Sequence, residues 1–234
     1  MNLIVILNPD SLLDVGTGFG KYGLLCREYL ELWDGRENYY QFLRRIDGVE
    51  AFGKYITPLH QFVYNNIYVK DVLDLVEEHD YSYDLVLLVD VLEHFDKLQG
   101  KVLLSKLLAK NKGIFISTPK NPSKQKNAFN NIYERHRSRW TRKELLSIID
   151  SSNNNSSSNG SESYFIHDTT HLVAYVGKEG SVKKLRRKLL LRNIKKIPSM
   201  SSILPLALRL AKRYGFIILF FLSYACCISD ISYY

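Results

Sequence analysis

Cysteine is scarce in this chain, with three among 234 residues. Cys26, Cys226 and Cys227 make no C-x-x-C pair, so a disulfide scaffold is excluded and a reducing compartment, the cytoplasm, is expected. No grouping of histidine, cysteine and carboxylate shows a metal-ligand spacing, and no bound metal is expected. A basic leader is missing too. The apolar opening from Met1 to Leu7 has no positive flank and stops at Asn8-Pro9, so it reads as a short element packed on the first strand rather than a secretory signal. Long hydrophobic runs are absent: Phe216 to Ile228 amounts to about 20 Å of helix against a hydrocarbon core of roughly 30 Å, which disfavours a full span. Two phosphate-binding signatures also fail. After Gly16 and Gly18 a dinucleotide fingerprint requires glycine where Lys21 stands, and no Gly-Lys-Ser/Thr follows to make a P-loop.

What is present suits a globular protein: hydrophobic residues at 46% and charged residues at 24%, in a length that fits one domain with an appendage. The net charge of +8 is unevenly placed. Eleven Lys and Arg follow Gly180 against the single acid Asp230, so residues 1–180 are slightly acidic and the basic character belongs to residues 181–234. These are expected to be a body and a basic, apolar helical tail. From Lys183 to Lys196 the charges interleave with Leu185, Leu189, Leu190, Leu191 and Ile194, which suits a helix lying on an anionic membrane surface. A tail folded over the sheet or used as a dimer contact is the other reading. Aromatics are missing from the charged part, which disfavours nucleic acid as a partner.

The body is organised around Ser11 to Gly23, where apolar Leu12, Leu13 and Val15 run into Gly16, Gly18 and Gly20. That is a buried strand turning sharply into a helix, expected from Lys21 to Leu32, whose N-terminal N–H groups and dipole would face a ligand. Further strands are expected at Arg44 to Glu50, Ile67 to Val72, Tyr83 to Asp90 and Gly113 to Pro119, with a helix from Lys101 to Ala109. Thr141 and Glu144 form a capping box that opens another helix, residues 151–163 form a Ser/Asn-rich loop, and Ser163 to His167 with His171 to Val176 make a final antiparallel pair. Strands alternating with helices specify a doubly wound α/β sheet whose ligand sits beyond the carboxyl ends of the strands. Asp14, Glu50, Asp71 and Asp90 each fall at or near such an end.

The run D-x-G-x-G-x-G from Asp14 to Gly20 resembles the first motif of the class I S-adenosylmethionine-dependent methyltransferases, and Y-D-L-V-L-L-V-D-V-L-E-H-F from Tyr83 to Phe95 resembles their fourth. The likeness covers about Ser11 to Gly177 and points toward the small-molecule and quinone-type members. It implies a mostly parallel seven-stranded Rossmann-like sheet and S-adenosyl-L-methionine as cofactor. It implies that Gly16, Thr17, Gly18, Gly20 and Tyr22 make room for the methionine part while Asp14 organises its ammonium end. Glu50 is then expected on the ribose hydroxyls, with Asp71, Val72, Asp90 and Val91 near the adenosine. Some members have a stretch like Tyr133-Glu134-x-His136-x-Ser138-x-Trp140 in the region facing the acceptor.

Methyl transfer from a sulfonium is an in-line displacement in which the protein positions the partners and excludes water. For a hydroxyl acceptor a base helps, and His94 and His136 are the candidates, as imidazoles titrate near neutrality. For His94 the competing reading is a residue that orients the following helix; His136 has Tyr133, Glu134 and Trp140 to build a pocket. His60, His79, His167 and His171 are expected to be ordinary surface or sheet residues. The expected activity is methylation of a small, amphiphilic or lipid-linked acceptor through oxygen, at the inner membrane face if the tail docks there. The alternative is a non-catalytic module of the same fold that tethers a partner to membrane.

Overall fold

Leu85–Val89, the strand richest in branched apolar residues, lies in the middle of the sheet, where both faces are covered. The structure, a computed structural model, describes residues 1–32, 37–38, 40–78, 81–154 and 160–194. The chain divides into two units, Met1–Arg187 and Lys188–Tyr234. In the first, helix α1 (Asn2–Leu7) precedes strand β1 (Ser11–Val15), helix α2 (Lys21–Glu31), strand β2 (Arg45–Glu50), helix α3 (Pro58–Val63), strand β3 (Ile67–Val69) and helix α4 (Val72–Glu78). Strand β4 (Leu85–Val89), helix α5 (Lys97–Lys110), strand β5 (Gly113–Pro119), helix α6 (Arg142–Asn154), strands β6 (Ser161–Ile166) and β7 (His171–Lys178) and helix α7 (Glu179–Ile194) follow. The second unit is described only through the last residues of α7. The expected membrane-facing apolar run, with Cys226 and Cys227, lies outside the described residues, as does His79. Among the described residues no helix is long and apolar enough to cross a membrane.

The seven strands stand in the order β3-β2-β1-β4-β5-β7-β6, parallel except where β7 runs antiparallel to β5 and β6. The order reverses at β1, which has β2 on one side and β4 on the other: Val15 pairs with Val49 and with Leu88. A ligand crevice opens at such a reversal, beyond the carboxyl ends. Along β4 Val86 and Leu88 join the core cluster with Leu75, Leu103, Leu107, Leu145 and Trp140, so α4, α5 and α6 cover that face. By the period of two, Leu85 and Leu87 turn to the opposite face and are just as buried.

Several local features differ from the sequence expectation: the stretch expected as a loop over 151–163 is helix α6 through Asn154 and strand β6 from Ser161. The third strand stops at Val69, and Asp71 does not close it; its Oδ1 accepts the Leu73 N–H at 2.9 Å and so caps α4. The helix expected from Lys101 begins at Lys97, because the Asp96 side chain accepts from the Gln99 N–H and starts it a turn earlier. Helix α3 was not legible as a unit. Pro58 stands at its first position, and the Thr57 N–H donates to Nδ1 of His60 at 3.1 Å.

Candidate active site

A cavity of about 240 Å³ opens beyond the carboxyl ends of β1, β2 and β4. Its walls include Gly16, Gly18, Glu50, Val72, Asp90, Val91 and His94 from the expected set, joined by Lys70, Tyr55, Asn131, Tyr133 and Glu134. Asp14, Thr17, Gly20, Tyr22, Asp71 and His136 are not on its lining.

The glycine turn is fastened to β2. The N–H groups of Gly16 and Thr17 both donate to the Val49 carbonyl, at 2.8 and 3.3 Å, and Gly16, Gly18 and Gly20 all have left-handed φ, of 67°, 56° and 92°. A side chain at these positions is strained. Nothing lies within 4 Å of where a Gly18 Cβ would stand, so this backbone edge faces open cavity. Next to the turn β2 carries Gly48, where a Cβ would fall 2.7 Å from Thr17 Cγ2; the bare backbone lets the Thr17 side chain lodge on the strand. Thr17 Oγ1 is buried there without a hydrogen-bond partner.

Glu50 holds the far side of the turn. Its Oε2 accepts the Gly18 N–H and its Oε1 the Phe52 N–H, each at 2.9 Å. A carboxylate has about four lone-pair sites, so two remain for ligand hydroxyls. Burial raises its pKa, opposed by the two N–H bonds. The residues around this turn fit an adenosine-bearing cofactor: a glycine edge with open space ahead and a carboxylate already oriented by backbone.

Asp14, expected to organise the cofactor's ammonium end, lies off the cavity lining. It is 2% exposed, and its Oδ2 accepts the Tyr64 hydroxyl at 2.6 Å. The Tyr64 ring reaches it because α2 carries Gly23, where a Cβ would sit 2.4 Å from Tyr64 Cζ. Burial pushes the Asp14 carboxyl up to about 7; the Tyr64 and Gly23 hydrogen bonds oppose that shift, and the Glu50 charge adds to it.

His60, expected to be an ordinary surface or sheet residue, is fully buried and touches the turn. Because the Thr57 N–H can only donate, Nδ1 of His60 accepts, which places the proton on Nε2; that N–H donates to the Gly18 carbonyl at 3.0 Å. His60 is a positioning residue for the turn. The only sequence signal for it was Thr57-Pro58, the start of a helix.

On the opposite wall the chain bends at Asp90, with φ 54°, and its N–H donates to the Ser117 carbonyl at 2.8 Å. A short 3-10 turn, Leu92–His94, follows. The Arg137 and Ser138 N–H groups donate to the Glu93 carbonyl at 2.8 and 3.0 Å, and the Trp140 indole N–H donates to the Leu92 carbonyl at 3.1 Å. This stitching brings His136 to His94, with ring centroids 5.1 Å apart. Glu93 is buried, its Oε2 accepts the Thr118 hydroxyl at 2.9 Å, and burial pushes its pKa up to about 7. Burial also lowers the pKa of His94. Although no spacing in the sequence announces it, one ligand-capable atom from each of Glu93, His94 and His136 lies within 4.8 Å of the others. Beyond this wall exposed Phe19 and Phe129, with Tyr55 and Glu134, line an adjoining apolar hollow.

No family model matches the sequence, and no curated protein matches it. Solved structures do resemble its fold. The plantazolicin methyltransferase BamL, in complex with a triazolic desmethylPZN analog and SAH, superposes with a TM-score of 0.54 at 10% identity, over 75% of this chain and 82% of that one. The plantazolicin methyltransferase BpumL in complex with SAH gives 0.51 at 15% identity, over 76% and 84%. The N-terminal domain of EvdMO1 with SAH bound gives 0.50 at 16%, over 74% and 76%. With the seven-stranded order, the glycine turn at the reversal point and the carboxylate at the end of β2, these likenesses give the chain the fold of the class I S-adenosylmethionine-dependent methyltransferases.

Proposed function

We propose that this chain is an S-adenosylmethionine-dependent methyltransferase acting on a small or amphiphilic acceptor through an oxygen atom. The observation that carries the reading is the left-handed glycine turn with open space before Gly18, facing a Glu50 carboxylate fixed by the Gly18 and Phe52 N–H groups. Glu50 is assigned to the ribose hydroxyls, and the Gly16–Gly18 backbone and Val91 to the rest of the cofactor. The cofactor supplies a methyl group activated on a sulfonium. The protein holds the acceptor in line and excludes water, a contribution of about 7–11 kcal/mol when the geometry is right. Tyr133, Asn131, Glu134 and His94 give the facing wall a polar surface suited to an oxygen acceptor, and Phe19 and Phe129 give the adjoining hollow an apolar one. That three structural neighbours are named as SAH complexes supports the cofactor assignment.

The test is calorimetry of the full chain with S-adenosylmethionine and S-adenosylhomocysteine. Saturable binding by the wild type, lost in Glu50→Ala, is the expected result; a protein that ignores both ligands ends the reading. Labelled cofactor incubated with fractionated cell extract then identifies which fraction takes up the methyl group.

A further inference from the structure

We propose that Glu93, His94 and His136 form a binding site for one first-row divalent transition-metal cation. Their ligand-capable atoms lie within 4.8 Å of one another, while ligands opposite each other across a cation with bonds of about 2.1 Å are about 4.2 Å apart, so small side-chain rotations close the site.

The surroundings prepare these groups to ligate. Nδ1 of His94 donates to the Arg135 carbonyl at 3.3 Å, and Nδ1 of His136 donates to the Ser123 carbonyl at 2.8 Å. A carbonyl can only accept, so these bonds place a proton on Nδ1 of each ring and turn Nε2 to the ligating side, where the Asp90 carbonyl, a further backbone partner of the His94 ring, would give way to a cation. A metal-bound imidazole almost always has such an outer partner. Glu93 is oriented by the Thr118 hydroxyl, and among the described residues it makes no ion pair with Lys or Arg. Its backbone carbonyl, bonded to the Arg137 and Ser138 N–H groups, fixes the separation of the two histidine-bearing segments.

Two imidazole nitrogens and one carboxylate oxygen suit Mn²⁺, Fe²⁺, Co²⁺ or Zn²⁺ rather than Mg²⁺ or Ca²⁺, which prefer all-oxygen sites. Three protein ligands leave coordination positions open, and His94 is itself on the cavity wall. The role given to the cation rests on the methyltransferase reading, although its binding does not. An acceptor hydroxyl entering the cavity becomes a ligand and its pKa falls. Its O–H bond breaks and the proton passes to water; the oxygen then bonds to the methyl carbon, and the C–S electron pair stays on sulfur.

The experiment uses metal-stripped full-length protein without cofactor, titrated with Co²⁺ by visible absorption and with Mn²⁺ by electron paramagnetic resonance. One saturable equivalent is expected, with affinity at least about tenfold weaker in Glu93→Gln and in His136→Asn. The His136 variant keeps the main-chain stitching, and circular dichroism checks that each variant is folded. No saturable uptake of either ion by the wild type, or uptake unchanged in the folded double variant, overturns the site. Cofactor calorimetry on the same samples separates the two ideas: uptake of Co²⁺ without cofactor binding sinks only the methyltransferase reading, and the reverse sinks only the metal site.

Discussion

One wall of the cavity, from Val15 to Gly18, comes from a single run of backbone, whereas the other joins Asp90, Val91 and His94 to Asn131, Tyr133 and Glu134, which come after another helix and strand. The first is shaped by conformation, with three left-handed glycines and a turn fastened by two bonds to the Val49 carbonyl. The second is shaped by attachment, through main-chain bonds to the Leu92 and Glu93 carbonyls and a buried Trp140. Cofactor affinity should therefore answer to the first wall, and acceptor chemistry and much of the stability to the second.

The largest way to break this division is Trp140→Ala. Removing a fully buried indole should cost about 3–5 kcal/mol of unfolding free energy in denaturant melts. Cofactor affinity in the remaining folded protein should change by less than about threefold, or about 0.7 kcal/mol. If affinity falls along with stability, the walls are one unit.

Gly18→Arg is the converse. It fills the open space before the turn, so calorimetry should show cofactor affinity reduced at least about 100-fold, or about 2.7 kcal/mol, with a much smaller change in Tm. A Tm drop as large as that of Trp140→Ala would make the turn part of the core instead.

A pH profile sharpens the comparison further. Asp14 binds its proton more tightly when folded, with a pKa of about 7 against 3.8, so the native state holds more protons than the unfolded state between these values. Asp14 thus lowers stability progressively as pH rises from about 4 to about 7, with a slope of at most about 1.4 kcal/mol per pH unit. The groups around it are the Tyr64 hydroxyl, the Gly23 N–H and the Glu50 carboxylate. Denaturant melts of Asp14→Asn across this range should lose that slope; an unchanged profile would mean the acid ionises freely.

The smallest effect is expected at Thr141→Ala. The Glu144 N–H donates to Thr141 Oγ1 at 3.3 Å and the Thr141 N–H to Glu144 Oε2 at 2.8 Å, so losing the cap should cost about 1 kcal/mol without touching cofactor affinity.

The first wall was legible because its chemistry is written in consecutive residues: an apolar strand, alternating glycines, then a helix. The central strand and the Thr141–Glu144 capping box were legible for the same reason. The burial of Asp14 was not legible because its partner Tyr64 is 50 positions away, and nothing near Asp14 says that a phenol passes beneath Gly23 to reach it. His60 was missed since its role depends on the carbonyl of Gly18, which no side-chain pattern encodes. The capping role of Asp71 was not legible because strand ends and helix caps favour the same residue. The meeting of His136 with Glu93 and His94 depends on main-chain bonds across the fold, to which spacing rules are blind.

Gly48 shows how far such hidden dependence extends. It touches no part of the cavity, yet a single methyl there would press on the Thr17 methyl and be transmitted along the backbone to Gly18. A mutational survey confined to wall positions would overlook it. Variation at Gly48 should therefore be screened by ligand affinity rather than dismissed as interior tolerance.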